Sequence, residues 1–472
     1  MTALVWFRSD LRTDDNTALY NALTRHEQVV ACYFLTPEQW TAHDKGPRAL
    51  QWIWQNLMSL RSELAEHGIP LYVLNSSSYM SIDEELGRLI AEHQVSDIYS
   101  NIEYGVDELD RDTRIQQRLG QSGVEWHAYH DYTLMPPGSV LTQNGAPFKV
   151  FTPFKRAWIA QLKGETIPCL AMPKRPSVAP ITPPPLPEWR PPAAEIDVNW
   201  WPAGEHAARE RLLTFTEHTL SRYQELRDIP AIDGTSRLSP YLTLGVISVR
   251  RCFEAALAFN NGEWSSGNSG ATTWLSELIW REFYQHVLSA FNHISKHRAF
   301  KPETDALKWR ASSQEYQAWC DGRTGYPLVD AAMKQLNQTG WMHNRMRMVT
   351  AMFLSKYLML DWRLGERYFM EQLLDGELGA NNGGWQWSAS TGTDAAPYFR
   401  VLSPIRQAER FDPDGAFTTH YLPELAGVSK KSLVSPGCPE LLARGYSAPI
   451  VDLKVGRDRV IDAFKSLDKS GG

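Results

Sequence analysis

Cysteine is scarce in this chain. Cys32, Cys169, Cys252, Cys320 and Cys438 are scattered over 472 residues, and no two stand in a CxxC spacing. That excludes a disulfide framework and gives no sign of a zinc or iron–sulfur centre, so a reduced, cytoplasmic protein is expected. Long apolar runs are missing as well. No stretch has the length and apolarity needed to span a bilayer, and the N-terminus MTALVWFRSDLR meets Arg8 and Asp10 before a secretory core can build up. Membrane partners are therefore not expected. Nor is there an excess of one charge: 48 Lys and Arg against 54 Asp and Glu leave a formal charge of -6. This argues against a protein that coats nucleic acid indiscriminately, while leaving room for a local basic patch. A GxGxxG phosphate loop is absent too, because the first apolar run, LVWF, leads into FRSDLR.

Tryptophan, in contrast, is abundant. Its 18 residues exceed what packing alone recruits, and a use for the ring faces is expected. From Leu4 to about Tyr129 the runs LVWF, VVACYFL, PLYVLN, DIYSNI and VEWHAY alternate with helical patterns, the rhythm of a parallel sheet. Pro47 opens one helix whose Leu50, Ile53, Trp54, Leu57, Leu60 and Leu64 recur at helical spacing before Gly68 and Pro70 stop it. Between about Asp131 and Trp201 the periodicity lapses, and prolines from Pro168 to Pro192, Pro176 among them, predict an extended linker. After Ala203 helical periodicity takes over, with Ser239 and Ser248 as predicted caps. The fold class is α/β: a doubly wound, Rossmann-like parallel-sheet domain over residues 1–130, a Pro-rich linker over 131–202 and an all-α domain over 203–472. The tail after Phe411 is predicted to be irregular.

Four stretches carry candidate chemistry. In DGELGANNGGWQWSASTGTDAAPYFR, from Asp375 to Arg400, Gly383 and Gly384 are expected to break the helix beside Trp385 and Trp387, and Asn381 and Asn382 offer neutral amides. A planar, heteroatom-rich ligand and a tight turn around buried tryptophans both satisfy that composition. In TTWLSELIWREFYQHVL, residues 272–288, Glu277, Trp280, Arg281 and Tyr284 share one helical face and Leu275, Ile279, Phe283 and Val287 another. An exposed Glu277–Arg281 pair would give the same pattern. In GWMHNRMRMVTAMFLSKYLML, residues 340–360, Asn344, Arg347 and Met348 share a face with Arg345 at its flank, a set suited to a base edge or simply to solvent. Gly234, Thr235 and Ser236 in DGTSRLSPYLTLG, residues 233–245, form a donor-rich loop that suits a pyrophosphate, or merely caps a helix.

Taken together, TSRLS, ELIWREFY, GYPLVDAAMKQL (325–336), WMHNRMRM, DWRLGERYF and NNGGWQWSASTGTDAAPYFR resemble the class I cyclobutane pyrimidine dimer photolyases of the photolyase/cryptochrome family, bacterial type. The resemblance implies a helical domain holding non-covalent, reduced FAD and a carbon–carbon lyase reaction: excited by blue light, the flavin lends an electron to a flipped-out pyrimidine dimer in DNA and recovers it after the ring opens. It places Tyr223, Thr235, Ser236, Arg237, Leu238, Ser239, Trp274, Glu277, Arg281, Asn344, Arg347, Asp375, Glu377 and Asn381 at the cofactor, with Asn381 facing the flavin N5. Glu277 would hydrogen-bond the pyrimidine carbonyls as the neutral acid, and Trp280 and Trp387 would stack the bases with Asn344 and Met348 beside them. Arg227, Arg345 and Arg400 are assigned to DNA phosphates, and Trp385, Trp362 and Trp309 to a chain that re-reduces the flavin.

For the antenna chromophore, methenyltetrahydrofolate is the first choice, held by His43, Asp107, Glu108 and Lys296. Asp107 stands where Asn is expected and Ser295 where Cys is common, so a deazaflavin remains open. Glu377 replaces the commoner Asp. Three rival readings are a cryptochrome photoreceptor without repair activity, a (6-4) photoproduct enzyme, which would carry His where Asn344 and Met348 stand, and a flavin reductase, which would need a nicotinamide site. A monomer is expected.

Overall fold

The structure is a computed structural model that describes residues 2–120, 122–165, 167–173 and 179–470. Pro176 lies outside the described residues. Five strands, β1 (Thr2–Phe7), β2 (Gln28–Leu35), β3 (Leu71–Asn75), β4 (Val95–Asn101) and β5 (Glu125–Tyr129), form one parallel sheet in the order β3-β2-β1-β4-β5. All six residues of β1 are buried, as are all but the first of β2. A parallel sheet needs helices on both faces, and near-continuous apolar strands are the consequence. β5, at the edge, has only exposed and half-buried positions. The Pro47–Glu66 helix follows the predicted stripe, with Leu50, Ile53, Leu57, Leu60 and Leu64 buried and Trp54 half-buried. Among the described residues no helix is long and apolar enough to cross a membrane.

The chain divides into two compact units, Met1–Ser221 with Ser236–Asn292, and Arg222–Thr235 with His293–Gly472. The sheet unit therefore reaches further along the chain than residue 130. It includes the Phe151–Leu162 helix, which packs on the Ser269–Ala290 helix, and the Glu205–His218 helix, which packs on Val249–Phe259. The first of these helices falls inside the stretch predicted to be linker. Its sequence FTPFKRAWIAQL starts with Pro in the first turn and buries Phe151, Phe154 and Trp158.

Residues 179–192 of the proline segment form neither helix nor strand and are clamped to their own unit. Ile181 N donates to Ala65 O at 3.0 Å and Gln51 Nε2 to Pro192 O at 3.0 Å, while Trp189 lies against both Trp40 and Trp54. Among its described residues the second unit has helices and no strand. Its tail is ordered, contrary to expectation: the Leu453–Ser470 helix buries Val460 and Phe464 against Leu307 and Met359. Spaced apolar residues in that polar segment suffice to dock one face.

The chain leaving β1 makes the densest polar network of the first unit. Asp10 accepts from Arg8 N at 2.6 Å and from Asn101 Nδ2 at 2.6 Å. Asp131 is buried between Arg12 and Arg250, with Arg250 Nη2 at 2.6 Å from its Oδ1 and the Thr17 hydroxyl donating at 2.6 Å. Arg250 also reaches Asp15 at 2.9 Å. Burial raises the Asp131 carboxyl, but Arg12 and Arg250 outweigh it and hold the group well below the usual carboxylate range. Its stabilising contribution is thus complete above the ordinary Asp pKa and is lost as pH falls toward the depressed value. Asp131→Asn leaves buried Arg12 without a carboxylate and Arg250 with Asp15 alone, and should lower unfolding free energy by about 3–5 kcal/mol in urea denaturation, with less acid sensitivity left in the variant.

Candidate functional site

In the first unit the Ser269–Ala290 helix is capped by Asn268, whose side chain accepts from Ala271 N. Leu275, Ile279, Phe283 and Val287 are buried as the pattern predicted, while Glu277, Trp280 and Arg281 are half-buried. Phe151 lies on Trp280 with centroids 3.7 Å apart and planes 10° apart, so the indole plane is fixed by its own unit. Arg281 donates to Tyr132 O at 2.8 Å and to Leu242 O at 3.3 Å, and its guanidinium sits 3.9 Å from the Tyr132 ring centroid. Trp274 is buried against Phe215, 4.9 Å between centroids. Lys155, which the sequence reading missed, donates to the Ser276 hydroxyl, and its amine is pulled down by burial and up by the charge of Glu277.

Glu282 was also missed. It is fully buried, receives Met135 N at 3.2 Å and Trp158 Nε1 at 2.7 Å, and bonds Leu134 N as well. Burial pushes its carboxyl up to about 7 despite those donors. Ser236, Arg237, Leu238 and Ser239 follow one another into the short Ser239–Thr243 helix. Arg237 adopts a positive φ of 49°, and Leu238, not Ser239, occupies the cap position, without a side-chain cap bond.

The second unit carries the remaining residues assigned to the flavin, the DNA and the electron relay. His343 caps the Asn344–Met352 helix by accepting Arg345 N at 3.2 Å on Nδ1. Burial pushes its imidazole down to about 4, which keeps the ring neutral and Nδ1 able to accept. Asn344 is exposed at the first turn, with Arg347 and Met348 half-buried. Arg347 grips Asp375 with one nitrogen at 2.8 and 3.0 Å from its two oxygens, and Nε donates to Met342 O at 2.8 Å. Arg345 pairs with Asp228 at 2.7 Å, Arg227 lies 3.9 Å from the same carboxylate, and the Arg227 guanidinium is 5.4 Å from the Tyr223 ring. Thr235 is half-buried at the end of this segment. Two of the three arginines assigned to phosphate are therefore already partly neutralised. Arg400 is exposed, 6.0 Å from the Trp387 ring. Its carbonyl accepts from buried Lys356 at 2.8 Å, whose amine burial and the Arg400 charge push down to about 7.

Gly383 and Gly384 do not break the chain. The Leu378–Ala389 helix runs through both. Glu377 caps it with two oxygens, accepting Gly379 N and Ala380 N at 2.8 Å each, and Asn382 bonds Glu366 at 2.7 Å and Gln386 at 2.8 Å. These side-chain bonds offset the low helix propensity of the glycine pair. Asn381 donates Nδ2 to Glu366 O at 2.9 Å, leaving Oδ1 as its acceptor. A Cβ at Gly384 would meet nothing within 4 Å, and Trp385 Nε1 is buried with no hydrogen-bond partner among the described residues. Open space along one face, neutral amides and an arginine already matched by a carboxylate fit a large planar cofactor.

Trp362 and Trp385 are buried in one core and Trp309, half-buried, packs against it. Arg310 bridges Leu360, which brings Trp309 to the chain just before Trp362. Gly365, one turn after Trp362, faces the Trp385 ring so closely that a Cβ would lie 2.1 Å from Cη2. Of the antenna set, His43 Nε2 stands 2.9 Å from Asp107 and Nδ1 3.8 Å from Glu108, which also accepts the Tyr79 hydroxyl at 2.9 Å. Lys296 is exposed and belongs to the second unit.

Residues 3–176 match the family described as DNA photolyase, and residues 274–466 the FAD binding domain of DNA photolyase. The deoxyribodipyrimidine photo-lyase of Vibrio cholerae is 43% identical over 470 residues, 98% of this chain and 99% of that one. A crystal structure of a bacterial class III photolyase from Agrobacterium tumefaciens superposes with a TM-score of 0.89 at 32% identity, covering 99% of this chain and 98% of that one. A Synechocystis cryptochrome gives 0.87 at 28%, covering 98% and 99%. Replacing Gly365 with Ala should push Trp385 aside and cost about 1–3 kcal/mol of stability, read by chemical denaturation followed by circular dichroism.

Proposed function

The chain belongs to the DNA photolyase family, and from that premise we propose that it is a class I enzyme that repairs cyclobutane pyrimidine dimers in DNA under blue light, acting as a cytoplasmic monomer. The observation that carries this reading is full-length 43% identity to a deoxyribodipyrimidine photo-lyase in a chain that retains Glu277, Trp280, Asn344, Met348 and Trp387 together. Reduced FAD, when bound, supplies the light-excited electron that opens the dimer and takes it back.

The chain's own residues do the rest. Asn381, with its nitrogen committed to Glu366 O, presents an oxygen to which a protonated flavin N5 can donate. Arg347, balanced by Asp375, brings a donor without a net charge. Trp280, held flat by Phe151, offers one base a stacking platform, and Trp387 the other. Glu277 is assigned to the pyrimidine carbonyls, with the Lys155 ammonium as a second charge near it. Arg227, Arg345 and Arg400 are assigned to the phosphates. The remaining cofactor assignments, Tyr223, Thr235, Ser236, Arg237, Leu238, Ser239, Trp274, Arg281 and Glu377, rest on the family resemblance. For the antenna, the cluster of His43, Asp107 and Glu108 supports a chromophore with donor groups, and methenyltetrahydrofolate is our choice, with deazaflavin as the alternative that mass analysis of released chromophores separates.

Purified protein under blue light with reductant should restore dimer-containing oligonucleotide; no repair by flavin-loaded, reduced protein would overturn the enzyme reading and favour a cryptochrome. Trp309→Phe should slow photoreduction of oxidised flavin while leaving repair by prereduced enzyme unchanged, and equal photoreduction would remove Trp309 from the relay. Trp280→Ala should weaken binding of dimer-containing DNA by about 1–3 kcal/mol, measured as a shift in Kd at fixed salt.

A further inference from the structure

At the edge of the sheet, β4 and β5 pair in register, Asp97 opposite Glu125 and Tyr99 opposite His127. Alternation sends Ile98 and Trp126 into the core on one face and gathers Asp97, Tyr99, Glu125 and His127 on the other. His26, the residue that ends the Thr17–Arg25 helix, joins them there. The repair chemistry uses none of these side chains. His127 Nε2 is 2.8 Å from Asp97 Oδ1 and 3.7 Å from Glu125 Oε2, and the ligand atoms of the three residues all lie within 4.8 Å of one another.

Bonds of about 2.0–2.1 Å to nitrogen and oxygen set tetrahedral ligands about 3.3 Å apart. The two observed separations straddle that value, so small side-chain rotations bring the three groups onto one ion. The surroundings are arranged in the manner of a ligand shell. The Ser96 hydroxyl donates to Asp97 Oδ2 at 2.6 Å, Tyr99 stacks on the His127 ring at 4.6 Å between centroids, and the Tyr99 hydroxyl meets His26 Nε2 at 2.9 Å. His26 Nε2 stands 3.6 Å from the other oxygen of Asp97. Such outer bonds fix the orientation of metal-binding side chains. Glu125 is largely exposed, at 77% of its side chain, whereas Asp97 is 18% and His127 22% exposed, so the pair is half-sheltered and still reachable from solvent.

We propose that Asp97, Glu125 and His127 bind a divalent late first-row transition ion, zinc being the commonest, with water at the fourth position and Ser96, Tyr99 and His26 orienting the ligands. One imidazole with two carboxylates suits such an ion better than magnesium or calcium, which take oxygen ligands. The consequence is mechanical. β5 has only one neighbour in the sheet, and an ion shared by β4 and β5 fastens that free edge.

The full-length protein, stripped with chelator, is titrated with cobalt(II) at neutral pH. Saturation at one equivalent, with the visible absorption of a four-coordinate site, displacement by zinc and a rise in Tm on zinc addition, is the expected result. His127→Gln and Asp97→Asn should each lower the affinity more than about tenfold and abolish the Tm shift, with circular dichroism verifying their fold. Absence of saturable binding, or affinity unchanged in both variants, overturns the proposal and leaves the cluster a hydrogen-bonded edge of the sheet. The outcome is independent of whether the protein repairs DNA.

Discussion

The buried pairing of Asp131 with Arg12 and Arg250 is the constraint on which the first unit rests. These charges come from the chain after β1, the chain after β5 and the start of the Val249–Phe259 helix, more than a hundred residues apart. Removing water from two guanidinium groups and two carboxylates is tolerated only because each is matched, Arg12 by Asp131 and Arg250 by both Asp131 and Asp15. The same network explains why the unit reaches beyond the sheet. Arg250 carries its helix into the unit, and the Ser269–Ala290 helix packs on that helix.

The network also occupies the place where a doubly wound sheet ordinarily takes a dinucleotide. In the strand order β3-β2-β1-β4-β5 the switch point lies between β1 and β4. There the carboxyl end of β1 meets Asn101 at the end of β4 through Asp10, with Arg8 donating to Asn101 O at 3.4 Å. Side chains fill what a glycine loop would leave open for phosphate. Arg8, Asp10 and Arg12 in FRSDLR are thus the physical content of the missing GxGxxG, and they leave FAD to the family's other binding domain, which the chain carries over residues 274–466.

What could be read from the sequence followed from periodicity. β1 and β2 were legible because buried parallel strands are apolar runs, and the two faces of the Ser269–Ala290 helix because apolar residues recur every turn. What could not be read depended on partners remote in sequence. Gly383 and Gly384 looked like breakers because propensity is local; their helix survives through Glu366, which Asn382 reaches across 16 residues. Glu282 looked like one more charged residue on a helix until its donors, Leu134, Met135 and Trp158, arrived from more than 120 residues away. Within the site, the residue types in WMHNRMRM and NNGGWQW were visible, yet the Arg347–Asp375 grip and the Asp228 partner of Arg345 were not. A grip of that kind is a matter of geometry, which no spacing rule contains.

Tryptophan abundance, read as a sign of rings in use, turns out to have a second cause. Trp6, Trp52, Trp158, Trp201, Trp319, Trp362 and Trp385 are all essentially inaccessible. Several of them act as polar cross-links inside the core: Trp52 Nε1 donates to Pro240 O, Trp158 to Glu282 and Trp319 to Thr350 O. A large ring with one donor joins distant segments while covering apolar area, which Leu or Phe cannot do. Trp385 departs from this use. Its ring is packed against Gly365 and Phe369, yet its N–H has no acceptor among the described residues. An indole that cannot readily pass its proton to a neighbour keeps a positive charge on the ring when oxidised, and a charge kept on the ring can move on to the next ring. The burial that makes cross-links of Trp52, Trp158 and Trp319 is, at this position, what suits the residue to the relay proposed for it.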